Sequence, residues 1–162
     1  MRFRIEQRFG HDAGAVQAAL LDPAFLARMG ELPRLGGPEV LGRTEDGATV
    51  TMRVRYAFAG ELSSAVRRVV DPARLTWVEE STTDVAAGRA SFRIVPDHYG
   101  GMLRCAGTFT LTAGAPGCRR VAEGDLRVSV PLVAGKVERA IVSGMEEHAA
   151  AEADLMDAWL RV

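Results

Sequence analysis

Near the end of the chain two polar residues, His148 and Glu152, stand four apart in a segment otherwise patterned for apolar burial. On a helix that spacing lets the side chains touch. An imidazole beside a carboxylate can orient the polar end of a ligand, or act as a weak acid and base where a substrate proton lies within reach. The plainer reading is a locally satisfied pair, because buried polar groups normally find partners. Two ligands fall short of the four that zinc takes. Cys105 and Cys118 lack the close pairing of a redox or zinc motif, so both are expected as free thiols, Cys105 buried, and no metal or cofactor is expected. Ser63-Ser64 and Ser81-Thr82-Thr83-Asp84 supply hydroxyls, but no Gly-x-Ser-x-Gly elbow surrounds them and no glycine-rich phosphate loop occurs. Nucleophilic catalysis and nucleotide binding therefore have no positive support. His11 and His98 fall at a helix approach and a turn, where exposed histidines are common.

The element that carries His148 and Glu152 spans residues 131–161, with Pro131 at its start. Ala134, Val137, Ile141, Gly144, Met145, Leu155, Met156 and Trp159 fall in one stripe, and Lys136, Arg139, Ser143, Glu146, Asp154, Asp157 and Arg161 lie opposite. At 1.5 Å per residue such a helix runs roughly 45 Å. It needs a broad apolar partner, which the rest of the chain must provide. The N-terminal alternation turns Phe3, Ile5, Gln7 and Phe9 one way and Arg2, Arg4, Glu6 and Arg8 the other, as a half-buried strand requires. Asp12, and then Asp22 followed by Pro23, signal two short helices. Residues 30–38, with three glycines and two prolines, read as a loop.

Six strands are expected between residues 40 and 130, broken by turn chemistry at Asp46-Gly47, Ala59-Gly60, Asp71-Pro72, Gly88, residues 96–101 and residues 114–117. Short connections favour an antiparallel meander. Val50, Met52, Val54, Tyr56 and Phe58 share one face of their strand, and Leu103, Cys105, Gly107, Phe109 and Leu111 share one face of another. Tyr56, Trp77, Phe92 and Phe109 fall at positions that face the helix, where aromatic rings either fill a core or line a pocket. Gly107 and Gly124 fall at inward positions and signal either open space or close packing. Arg53, Arg55, Arg104, Arg119 and Arg127, interleaved with Glu6, Glu123 and Asp125, form a mixed outer surface.

Composition sets outer limits. A length of 162 residues fits one domain, residues 1–162, able to enclose a core and a modest cavity. A net charge of −1 lacks the basic excess that neutralises phosphates, so no nucleic-acid partner is expected. No apolar run reaches the length of a signal or membrane-spanning segment, which points to the cytoplasm without integral membrane association. Nearly all basic residues are arginine, Lys136 being the one lysine, and alanine, glycine and valine are abundant, as in a GC-rich bacterial source.

The order of elements, strand, two short helices, six strands and a long C-terminal helix, resembles the helix-grip superfamily, also called START-like, Bet v 1-like or SRPBCC. Within it, Pro131-Leu132-Val133-Ala134-Gly135-Lys136-Val137-Glu138 and the run to Trp159-Leu160 resemble an uncharacterised actinobacterial START-like family, DUF2505. The resemblance implies an α+β fold, a curved seven-stranded antiparallel sheet wrapped round the last helix, with an apolar cavity between them. It implies a hydrophobic, lipid- or polyketide-like small molecule as the partner. Candidate cavity residues are then Tyr56, Trp77, Phe92, Cys105 and Phe109 from the sheet and Ile141, Met145, His148 and Glu152 from the helix. No catalytic residue is assigned and no oligomeric state follows. A cyclase or dehydratase, with His148, Glu152, Tyr56 or Arg68 placing protons, is one alternative. A protein-interaction module with a closed cavity and an exposed apolar patch is another.

Overall fold

A computed structural model describes residues 1–161. Strand β1 (Arg2–Phe9) buries every second residue, as its alternation requires. Helix α1 (Ala13–Leu20) is capped by Asp12, whose carboxylate accepts from the Ala15 amide at 3.1 Å, and α2 (Pro23–Arg28) by Asp22, which accepts from Ala24 at 2.8 Å. Each cap satisfies an amide that the first helical turn leaves without a partner.

The meander follows: β2 (Leu35–Asp46), β3 (Thr49–Phe58), the short α3 (Ser64–Arg67), β4 (Thr76–Asp84), β5 (Arg89–Pro96), β6 (Leu103–Ala113) and β7 (Cys118–Val128). With β1 added beside β7, the sheet runs β1-β7-β6-β5-β4-β3-β2, antiparallel throughout. The long helix α4 (Ala134–Leu160) packs across it, mostly on β1 and β7.

Two expected boundaries move. Residues 35–38, expected in a loop, open β2, whose pairing with β3 shifts register between Gly36 and Glu39 and again between Val40 and Gly42. Pro38 sits within the first irregularity of an edge strand, a setting in which a sheet tolerates a residue without an amide hydrogen. At the other end α4 begins at Ala134, not Pro131: Leu132 has φ of +69° and is fully exposed, so residues 131–133 form a turn.

Gly107 and Gly124 are direct partners across β6 and β7. A Cβ at Gly107 would collide with the Glu123 carbonyl, and one at Gly124 with the Ala106 carbonyl and the Phe3 ring. Of the two expectations for these glycines, close packing holds. They let neighbouring atoms approach and leave no open space.

The core divides into two clusters. One gathers Val16, Phe25, Leu26 and Met29 beneath α1 and α2 with Val50, Met52, Val54 and Tyr56 of β3 and Met156 of α4. Phe25 meets Trp159 edge to face at 5.7 Å between ring centroids. The other gathers Phe3, Ile5, Phe92, Cys105, Leu126 and Val128 under the N-terminal part of α4 as far as Ala149, where Val142 and Ala149 are buried.

Candidate functional site

The boundary between those clusters is polar. On β1, Gln7 lies between Ile5 of one cluster and Phe9 of the other. On β7, Arg120 lies between Ala122 and Cys118, and on α4, Glu152 lies between Ala149 and Met156. Period two on the strands and the helical repeat on α4 carry these side chains inward with their apolar neighbours. Gln7 and Arg120 are register partners across β1 and β7. Antiparallel pairing therefore sets them side by side although 113 positions separate them.

Their bonds form a layer. Arg120 Nη1 donates to Glu152 Oε1 at 3.0 Å and to Gln7 Oε1 at 3.3 Å, while Gln7 Nε2 donates to the Ala149 carbonyl at 2.8 Å. The Arg120 guanidinium carbon stands 3.9 Å from the centroid of the Phe109 ring, which stacks on Phe92 with centroids 4.5 Å apart. Arg120 thus has an aromatic face beneath it and a carboxylate at its edge, the arrangement that lets a guanidinium be enclosed. Glu152 is buried at 5% exposure, which places its charge in a medium where only a close cation compensates it.

His148 and Glu152 do approach each other, with Nε2 to Oε2 at 3.7 Å, while His148 Nδ1 is buried without a partner. Burial holds the His148 pKa below its ordinary value; Glu152 works against this and Arg120 adds to it. The imidazole is accordingly neutral at pH 7, and the ionic partner of Glu152 is Arg120.

Glu79 of β4 completes the set. It shares the inner face with Trp77, Ser81 and Thr83, and pairs in register with Val54 and Ile94. Burial pushes its pKa up, the Arg120 charge partly offsets this, and Glu152 reinforces it. The Tyr56 phenol is pushed well above its ordinary value, by burial first and then by Glu79 and Glu152. Burial also raises the Cys105 thiol to about 11, so that buried cysteine is not a thiolate at neutral pH. Cys105 and Cys118 are both free and buried.

Tyr56, Glu79, Thr83, Phe109 and Arg120 line a cavity of about 60 Å³ that opens between Gln17 and Leu20 of α1 and the Gly88–Arg89 end of the β4–β5 hairpin. Most of its remaining wall is apolar: Leu21, Leu26, Met52, Val54 and Leu111. Of the residues singled out in the sequence, Tyr56 and Phe109 face this space. Trp77 lies behind it, stacked on Tyr56 at 6.1 Å. Phe92, Cys105, Ile141 and Met145 belong to the packed cluster under the N-terminal part of α4. His148 and Glu152 stand behind Arg120, and Arg68 lies exposed in the β3–β4 connection.

Sequence reasoning passed over Arg120 and Glu79. The signal was strand parity. Arg120 lies four before Gly124 and six before Leu126, all on the inward parity of β7, and Glu79 lies two after Trp77 on β4. Both were hidden among many arginines and glutamates, most of which face outward. Among the described residues no group of three or more His, Cys, Asp or Glu side chains is arranged to hold a metal ion. No helix among them is long and apolar enough to cross a membrane.

A long helix packed across a seven-stranded antiparallel sheet, with a part-polar cavity between the sheet and α1 and α2, is the helix-grip fold. The chain belongs to the family described as "Protein of unknown function (DUF2505)", whose model matches residues 4–160. None of the curated proteins matches it. Among solved structures, TTHA0849 from Thermus thermophilus is similar with a TM-score of 0.68 at 18% identity, covering 98% of this chain and 95% of that one. The ZhuI aromatase/cyclase from Streptomyces sp. R1128 aligns with a TM-score of 0.59 at 18% identity, over 95% of this chain and 93% of that one. The di-domain ARO/CYC StfQ from the steffimycin biosynthetic pathway aligns with a TM-score of 0.58 at 14% identity, over 99% of this chain and 46% of that one. At these identities the likeness is one of fold.

Proposed function

We propose that the chain, acting as one domain in the cytoplasm, binds a hydrophobic small molecule between the sheet and α1, α2 and α4, with the molecule's polar end against Tyr56, Glu79 and Arg120. The observation behind this reading is a polar floor inside an apolar space. Core packing alone gains nothing from an enclosed guanidinium and two inward glutamates, since apolar residues of similar volume stabilise as well or better. A binding site does gain, because a few placed polar groups orient a ligand that apolar walls hold.

The cavity of about 60 Å³ accommodates a polar group or a few waters. It is well below the roughly 300–1,000 Å³ of pockets that enclose whole ligands. Uptake of a lipid- or polyketide-sized molecule therefore requires its walls to part. The small elements α1 and α2, of eight and six residues, are the part of the wall that can move without breaking the sheet.

Native mass spectrometry of the purified protein, followed by extraction of whatever co-purifies, tests the reading. A retained apolar compound is the expected result. If none is retained, and no member of a lipid and polyketide panel alters the fluorescence of Trp77 or Trp159, the proposal is wrong. A second reading, acid-base catalysis on a polyketide-like substrate, has one observation in its favour: Glu79 and Arg120 present a proton donor or acceptor and a fixed cation to the same space. Turnover of such a substrate by the wild-type protein and its loss in Arg120→Met would support that reading.

A further inference from the structure

The bonds that Arg120 gives to Glu152 and Gln7 both leave from Nη1. The edge formed by Nε and Nη2 is left to donate, while Phe109 covers one face of the guanidinium. Arg120 lines the cavity, whereas Glu152 stands behind it and outside the lining. The other charged residues of the lining are Glu79 and, exposed at the mouth, Arg89; Asp84, opposite Arg89 in register, lies outside it. Burial favours the uncharged form of Glu79, in which its carboxyl donates a hydrogen bond. Tyr56 and Thr83, both buried, bring hydroxyl donors to the same space. The lining thus offers cations and donors in excess of anions.

From this lining, and resting on the ligand-binding reading above, we infer that the site selects a hydrophobic molecule whose inner end is a carboxylate, and disfavours one that ends in a protonated amine. A planar head with two oxygens matches the free edge of the guanidinium, and charge-assisted bonds of that kind are stronger than neutral ones. Glu152 repels such a head, but it is held at Nη1, away from the free edge, and the nearer cation outweighs it. An ammonium in the same place faces a guanidinium that accepts nothing, and gains a counter-charge only by ionising Glu79 against its burial. The cavity of about 60 Å³ holds the head group, and the apolar chain lies along Leu21, Leu26, Met52, Val54 and Leu111 once the walls part.

The test uses three probes that share one chain and are an anion, a neutral molecule and a cation at pH 7: octanoate, octanol and octylamine. Each is titrated by calorimetry and by the fluorescence of Trp77, which stacks on Tyr56. Octanoate is expected to bind roughly tenfold or more tightly than octylamine, with octanol between. In the double variant Arg120→Met, Glu152→Leu, which removes the cation without stranding its partner, that ratio is expected to fall below about threefold. Octylamine or octanol binding as tightly as octanoate in the wild-type protein overturns the inference while leaving the binding site standing, and so does an unchanged ratio in the folded double variant. Absence of binding by all three probes at millimolar concentration overturns the ligand-binding reading and this inference with it. The wild-type ranking decides the matter even if the variant does not fold.

Discussion

The cluster beneath α1 and α2 and the polar layer beside it share one sheet and one helix, yet they are held by different physics. In the first, Phe25, Val16 and Met156 are fully enclosed among apolar neighbours, and each contributes through area removed from water and close contact. In the second, Gln7, Arg120 and Glu152 contribute only while each keeps its partners, because a lone buried charge costs far more than the pair gains. The same fold therefore holds one region that tolerates any well-shaped apolar side chain and one that tolerates change only in matched sets.

Three measurements probe that contrast. The largest effect is expected in the apolar cluster, where Phe25→Ala should cost about 3–5 kcal/mol in denaturant unfolding through lost transfer energy and an unfilled cavity. In the polar layer, Arg120→Ala should cost a similar amount, about 3–5 kcal/mol, by stranding Glu152. The paired replacement of Arg120→Met with Glu152→Leu should recover most or all of it. If the double variant is no more stable than Arg120→Ala, the layer is not held by matched charge and the contrast fails.

The smallest effect is a pair of opposed pH slopes. Glu79 has a folded-state pKa above its ordinary 4.5. The folded chain therefore binds its proton more tightly, and stability is lost as pH rises from 4.5 through the raised value. His148 has a folded-state pKa below its ordinary 6.5, so stability is lost as pH falls from 6.5 through the lowered value. Glu79→Gln should flatten the first slope and His148→Ala the second, each followed by thermal unfolding across roughly pH 4–8. The groups that act on Glu79 or feel its charge, namely Arg120, Glu152, Tyr56 and Cys105, come from β7, α4, β3 and β6. Of these, Tyr56 and Cys105 are pushed upward, away from that range. A slope that survives its own substitution would assign it to some other group.

Much of the frame is legible along the chain. The alternation in β1, the aspartate caps of α1 and α2, the turn residues between six strands and the stripe of α4 are all local. Each needs only the preferences of residues a few positions apart. The pair of His148 and Glu152 could be found in the same way, because the helical repeat alone brings them together. Where local rules compete, the outcome was less clear. Gly36, Gly37 and Pro38 carry turn chemistry, yet an edge strand absorbs them by shifting register. Pro131 carries a helix-start signal, yet the helix waits for Ala134.

Local pattern was thus enough for the elements, their order and their apolar faces, since these follow from periods of two and 3.6 residues. Which polar side chains meet was settled only by packing. Gln7 finds Arg120 only because β1 pairs with β7, Arg120 finds Glu152 only because α4 crosses that pair, and Glu79 joins them across the cavity. No local pattern distinguishes Arg120 from the arginines beside it. Its partners lie 113 and 32 positions away, and the electrostatic field that sets its role exists only once the strands and helix are packed.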